Sequence, residues 1–435
     1  MEYGIYNIKE VTNIVKEFDN YIKYIENNDI LLTKTKEYVS RKDLKVINEL
    51  MAEPWEKATK GSEQNYYPLL HLFYHLCIGG KLFKKIPAKA GKLSLEGNKE
   101  LDMYKKLTDT EKYIFMLKTL WIDVDWKKVD SLDHRGFGIT PDVMKVLKYI
   151  SDSKPGDPVV IHSEVMRGRL DISIKRWNYF HLYFSYLGIW NVEEDGDRGY
   201  SMKKRFDAKI ITPTAFGVDL AKRLLSIPII NWNLPWRRSM GDFGAIPGSQ
   251  LPNEVEFFVD DRECKESKLQ NNNDDEDIFV RELSDLFLKG ELNKLLPRAK
   301  RGNTGGNYIF KVSLGGKLWR KIKISSKATF LDLHDMIQKA FNFDDDHLYA
   351  FYMDGKLYSD YCFVSPFDSN GIGVDEVKIG EVGLYEGQKI KYLFDFGDSW
   401  VFDIKIEKVN SEEPEISSPE IISEKGKAPE QYPEY

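Results

Sequence analysis

The feature that most restricts the fold is a change of hydrophobic period near residue 307. Upstream, apolar residues recur every three or four positions, as on helices. From residue 307 they alternate with polar ones, as on half-buried strands. NYIFKVSLGGKLWRKIKIS (307–325) alternates on both sides of Gly315-Gly316, which predicts a hairpin with a two-residue turn. ATFLDLHDMIQKAFNF (328–343) places Phe330, Leu333, Ile337 and Phe341 on one side of a helix. HLYAFYM (347–353) is a third strand, and QKIKYLFDFGDSWVFDIKIEKV (388–409) is a closing hairpin. A helix must bury its stripe against something, and a strand pair is at hand.

The closing hairpin holds the residues with the most chemical potential. Asp395 and Asp398 surround Gly397, and Trp400 follows. As chemistry, two carboxylates joined by His334, His347 and Glu430 could hold a metal or act as acid and base. As structure, Gly397 supplies unusual backbone angles and an Asp side chain accepts N–H groups in the turn. Tyr392, Phe394, Trp400, Ile404 and Ile406 then lay down packed faces. The run Asp344–Asp346 before His347 offers a cation carboxylates but lacks the calcium-loop spacing. The structural reading accounts for every residue type. No catalytic, metal or cofactor site is therefore expected, and a metal-dependent hydrolase using Asp395 and Asp398 stays as an alternative.

Upstream, residues 1–138 read as helical, with Ile14, Phe18, Tyr21, Ile22 and Ile25 on one face and Thr108 with Glu111 as a capping box. His71 and His75 stand one turn apart on a helix. Their Leu- and Phe-rich surroundings make them core residues rather than a metal pair. Residues 139–226 read as helix (Thr140 as cap, then Pro141), aromatic helix, β-hairpin and helix, the last with Thr212 as cap and Pro213 after it. That order resembles a winged-helix domain. Its Lys and Arg number 14 against 11 Asp and Glu, only a small excess. Arg167, Arg169, Lys175 and Arg176 lead into the aromatic helix, and Lys203, Lys204 and Arg205 sit on the wing, where phosphate contacts would fall. Tyr179, His181 and Tyr183 are available to a reading helix, but few base-reading side chains join them. Trp177, Phe180, Phe184 and Leu187 are expected in the core. Residues 227–302 form a connector, with a polar linker at 260–276 and an amphipathic helix at 277–296.

The chain has 435 residues and is 42% hydrophobic, enough for several packed domains. A net charge of −6 gives no global attraction to nucleic acid or membrane. Three distant cysteines are neither a disulfide framework nor a zinc spacing. No apolar run reaches a membrane span, and the N-terminus lacks a signal-peptide pattern, so a cytoplasmic protein is expected.

The last third resembles the plasmid pRiA4b ORF-3-like family. LWRKIKI, TFLDLHDMIQKAF, DDHLYAFYMDGKLY, LYEGQKIKYLFDFGDSWVFDIKIEKV and the tail KGKAPEQYPEY carry the likeness, across about residues 305–435. The resemblance implies an occurrence in bacteria and on mobile elements, and no defined reaction. Two departures stand out: Phe402 occupies a position where members usually carry histidine, and the tail has no cysteine. The expected whole is multidomain α+β: a helical region (1–138), a winged-helix-like domain (139–226), the connector (227–302) and a β-grasp-like, ubiquitin-like α+β domain (303–435). The expected function is protein contact as a non-enzymatic adaptor. DNA regulation through the winged helix is the alternative.

Overall fold

A computed structural model describes all residues except 1–3, 90–91, 131–138, 162–173, 175–176, 197–205, 241, 243–244, 250, 252–276, 298–304, 360, 369–370, 385, 412 and 433–435. The linker predicted at 260–276 lies outside the described residues. Helices and strands are mixed, and the chain divides into two compact units: Met1–Trp236 with Pro247–Pro297, and Arg237–Ile246 with Arg298–Tyr435. Among the described residues, no helix is long and apolar enough to cross a membrane.

In the first unit, α1 (Ile14–Asn27) buries the face read from its sequence, from Ile14 to Ile25. It packs with α2 (Pro68–Gly79) and α3 (Asp109–Ile122). The predicted capping box opens α3: Thr108 Oγ1 accepts the Glu111 N–H at 3.1 Å, and Glu111 Oε2 accepts the Thr108 N–H at 3.0 Å. This region is not wholly helical, because β1 (Phe83–Pro87) and β2 (Leu93–Gly97) form an antiparallel hairpin. Lysines fill much of β1, so its alternation is faint in the sequence.

Residues 140–142 make a short 3₁₀ turn before α4 (Val143–Asp152), so Thr140 lies inside that turn rather than capping the helix. The aromatic helix is α5 (Tyr179–Tyr186). Strands β3 (Val159–Val160), β4 (Trp190–Glu194) and β5 (Ala208–Pro213) form an antiparallel sheet in the order β3-β5-β4. The cap of α6 (Ala215–Leu224) is Thr214, whose Oγ1 accepts the Gly217 N–H at 2.8 Å; Thr212 and Pro213 instead end β5. The helix predicted at 277–296 shrinks to α7 (Ile278–Leu283) and one 3₁₀ turn. The Leu286 carbonyl accepts the Tyr6 N–H at 2.8 Å, so this backbone pairs with the N-terminal segment instead of continuing a helix.

The second unit is built on an eight-stranded sheet. Its strands are β6 (Asn307–Leu314), β7 (Leu318–Ser325), β8 (Tyr349–Tyr352), β9 (Cys362–Val364), β10 (Ile372–Gly373), β11 (Lys389–Phe394), β12 (Trp400–Asn410) and β13 (Glu420–Lys425). The order is β10-β9-β8-β11-β12-β6-β7-β13, antiparallel throughout except for β10 with β9. Leu314 pairs with Leu318, so the β6–β7 turn holds three residues rather than two, with Gly315 at φ +65°. Helix α8 (Phe330–Phe341) buries Phe330, Leu333, Ile337 and Phe341 in the same core as Tyr308, Phe351, Tyr392 and Phe402. It opens on a Thr329–Asp332 capping box and closes on Asn342 in the left-handed region.

A carboxylate–histidine site on the C-terminal unit

Three distant segments meet beside α8. The first is the loop 344–348 that follows it. The second is the 395–399 turn, anchored by the Asp395 N–H donating to the Leu348 carbonyl at 3.0 Å. The third is the tail: Gln431 Oε1 accepts the Asp344 N–H at 2.5 Å, and its Nε2 donates to the Asp344 carbonyl at 3.1 Å. The loop is thus held from both sides.

Within the turn, Asp395 is buried and Asp398 is exposed. Asp395 Oδ1 accepts the N–H groups of Gly397 at 2.8 Å and Asp398 at 3.2 Å. The unusual backbone angles lie at Asp395 and Ser399, both at φ +56°, and not at Gly397 as expected. Glycine serves there for a different reason: an added Cβ would stand 3.1 Å from Asp395 Oδ1. Asp395 Oδ2 lies 3.7 Å from His347 Nε2, and His347 Nδ1 lies 2.8 Å from Asp346 Oδ1. The Asp346 bond, with the Asp395, Asp346 and Asp398 carboxylates, holds His347 above its ordinary pKa and outweighs desolvation. The Tyr432 hydroxyl reaches the same pair, 3.1 Å from Asp346 Oδ1. Trp400, half-buried, packs on Phe343 with ring centres 4.8 Å apart.

His334 is buried in α8 and lies flat on Tyr349, 3.6 Å between ring centres and 5° between planes. Gln338 Nε2 donates to the Tyr392 hydroxyl at 2.8 Å, and that hydroxyl lies 2.7 Å from His334 Nδ1. When Tyr392 donates its O–H to Nδ1, Nε2–H donates to Asp345 Oδ1 at 2.9 Å. Burial lowers the His334 pKa to about 4 against the pull of Asp345. The neighbouring Asp335 is raised by burial, then by the Asp345 and Asp332 carboxylates. His334 Nε2 and one oxygen each of Asp335 and Asp345 all lie within 4.8 Å of one another.

The sequence-level candidates thus divide into two neighbouring pairs, His347 with Asp395 and His334 with Asp345. Glu430 is exposed. The sequence reading missed Asp335, Gln338, Gln431 and Tyr432, which only the fold brings to this place. Phe402 fills the core between Phe341 and Tyr392, at ring distances of 4.9 and 5.4 Å.

The nucleic-acid candidates Arg167, Arg169, Lys175, Arg176, Lys203, Lys204 and Arg205 lie outside the described residues. Tyr179, His181 and Tyr183 are buried rather than available for reading bases. The Tyr183 hydroxyl donates to the Val129 carbonyl at 2.9 Å, and His181 Nε2 lies 3.0 Å from the Ile174 carbonyl. Trp177, Phe180, Phe184 and Leu187 are buried as well. His71 and His75 do not share a metal geometry: His71 Nδ1 meets Gln64 Nε2 at 3.2 Å and its Nε2 meets the Lys128 carbonyl at 3.1 Å.

No curated protein matches the chain. Among solved structures, a protein of unknown function from Methanosarcina mazei Go1 is 26% identical over 28% of this chain and 70% of its own, with a TM-score of 0.25. Residues 307–432, which contain the whole carboxylate–histidine site, match the model of the plasmid pRiA4b ORF-3-like protein family.

Proposed function

We propose that the chain is a protein-contact adaptor whose C-terminal unit offers one sheet edge to an extended segment of a partner. The observation that carries this reading is β13. It is six residues long, exposed at every position, and ends the sheet order with β7 on one side and no described strand on the other. Its outer N–H and C=O groups are a template for strand addition, and Ile421 and Ile422 add exposed apolar surface. Arg320 keeps this edge in place. It is buried, and it donates to the Ala340 carbonyl at the end of α8 and to the Lys425 and Gly426 carbonyls beside β13.

Asp395 fits the same reading, since its carboxylate is engaged by the turn it shapes. The β-grasp-like description rests on element order, a hairpin, a helix laid across it and a closing hairpin. The winged-helix-like description rests likewise on the order of α4, α5, β4, β5 and α6.

Proline at 423 and, separately, at 424 tests the edge, because beyond the bulge between Ile421 and Ser423 successive strand N–H groups point to opposite sides. One of the two variants should keep the melting temperature of the parent and lose its host partner at least tenfold. Undiminished partner binding by both variants would contradict the reading.

A further inference from the structure

We propose that His334 Nε2 and the carboxylates of Asp335 and Asp345 bind one divalent first-row transition-metal ion, with Zn²⁺ favoured. This inference is independent of the strand-addition reading.

The geometry is close to what such an ion needs. Ligands about 2.0–2.2 Å from a zinc ion sit roughly 3–4 Å from one another. His334 Nε2 and Asp345 Oδ1 are already 2.9 Å apart, and all three ligand atoms fall within 4.8 Å. Asp335 is exposed and has no hydrogen-bond or ion-pair partner among the described residues, so its carboxylate can swing inward. Asp345 cannot drift away. Its loop is clamped at Asp344 by Gln431 and follows the left-handed Asn342. Both carboxylates reach solvent, which leaves coordination positions open to water.

A second, independent observation lies behind the histidine. A metal-binding imidazole needs its other nitrogen held by a partner that fixes its orientation. Here Nδ1 faces Tyr392, and Tyr392 is held by Gln338. Gln338 is itself buried, and its Oε1 has no hydrogen-bond partner among the described residues. Turning this amide over reverses the chain of donors. Tyr392 O–H then donates to Gln338 Oε1, His334 Nδ1–H donates to the Tyr392 oxygen, and the Nε2 lone pair faces the two carboxylates. The imidazole stays neutral; the Gln338 oxygen gains Tyr392 as its partner, and the amide nitrogen takes over the position that has none. One nitrogen with two carboxylates suits zinc-class ions, whereas magnesium and calcium favour oxygen alone.

The test uses the full chain, stripped with a chelator, titrated with Zn²⁺, Mg²⁺ and Ca²⁺ by calorimetry and followed by melting. The expected result is one Zn²⁺ per chain, a melting temperature that rises with Zn²⁺, and at least tenfold weaker binding of Mg²⁺ and Ca²⁺. Asp335→Asn and Asp345→Asn should each weaken Zn²⁺ at least tenfold while leaving the metal-free melting temperature unchanged. Asp398→Asn, outside the cluster, should bind as the parent does. His334→Gln places a new side chain in the core, so the two exposed aspartates carry the test. No Zn²⁺ binding, full affinity in the Asp335→Asn/Asp345→Asn double variant, or equal affinity for Ca²⁺ would each overturn the proposal.

Discussion

Asp395 and Asp398 are three residues apart and do different work. The first accepts two N–H groups of its own turn, and the second faces solvent. Asp395→Ala should therefore cost roughly 1–2 kcal/mol, because it removes the acceptor of two turn N–H groups and leaves alanine at φ +56°. Asp398→Ala should stay within about 0.5 kcal/mol. Denaturant titration of the two variants measures this, and equal losses would contradict the assignment. That an aspartate caps this turn was legible because the interaction is local. The union of His334 with Asp345 was not, because it depends on the path of a loop clamped by Gln431, far along the chain. His75 supplies a pH prediction. It is half-buried with its Nε2 enclosed and without a partner among the described residues, and desolvation lowers its pKa well below the ordinary value. The unfolded chain takes up this proton near pH 6.5 and the folded chain does not. Its stability is therefore intact above about pH 6.5 and falls below it, by up to about 1.4 kcal/mol per pH unit. His75→Leu should lose less stability than the parent between pH 7.5 and pH 5. Identical losses would show that the ring is not held neutral.

At the scale of elements, close contacts set the strongest constraints. A Cβ on Gly217 would lie 1.8 Å from the Ile189 carbonyl oxygen, so α6 packs against this backbone only because residue 217 has no side chain. Gly217→Ala should destabilise by on the order of 3 kcal/mol, read by denaturation. A change under about 0.5 kcal/mol would mean that the backbone yields. Arg320 ties the end of α8 to β13, and Arg320→Ala should speed hydrogen exchange in β13 well beyond that in β6. Equal protection in the two strands would remove Arg320 from that role. The stripe of α8, the β6–β7 and β11–β12 hairpins and the box at Thr108 were readable because each follows a local period or cap. Strand β13 was not: its adjacent isoleucines break alternation, and a bulge between Ile421 and Ser423 shifts its register. The helix expected over 277–296 failed because a tertiary partner, the Tyr6 N–H, took the carbonyl that a further turn would have used.

For the whole molecule, the two compact units differ in what the sequence could say of them. The stretch that matches the family model, residues 307–432, announced itself through ordered motifs. In the first unit, Tyr179, His181 and Tyr183, which the sequence offered to a reading helix, are buried. Its aromatic helix is a case in which period alone does not tell a buried helix from a reading one. Strand addition at β13 is the claim on which the functional account turns. Its most direct measurement replaces Ile422 by a photo-crosslinking phenylalanine analogue in the full chain, within its own host, with the same analogue at Lys317 in the β6–β7 turn as control. The account predicts adducts from position 422 to one extended segment of one partner, and none from position 317. Adducts scattered over many proteins, or none from position 422, would contradict it.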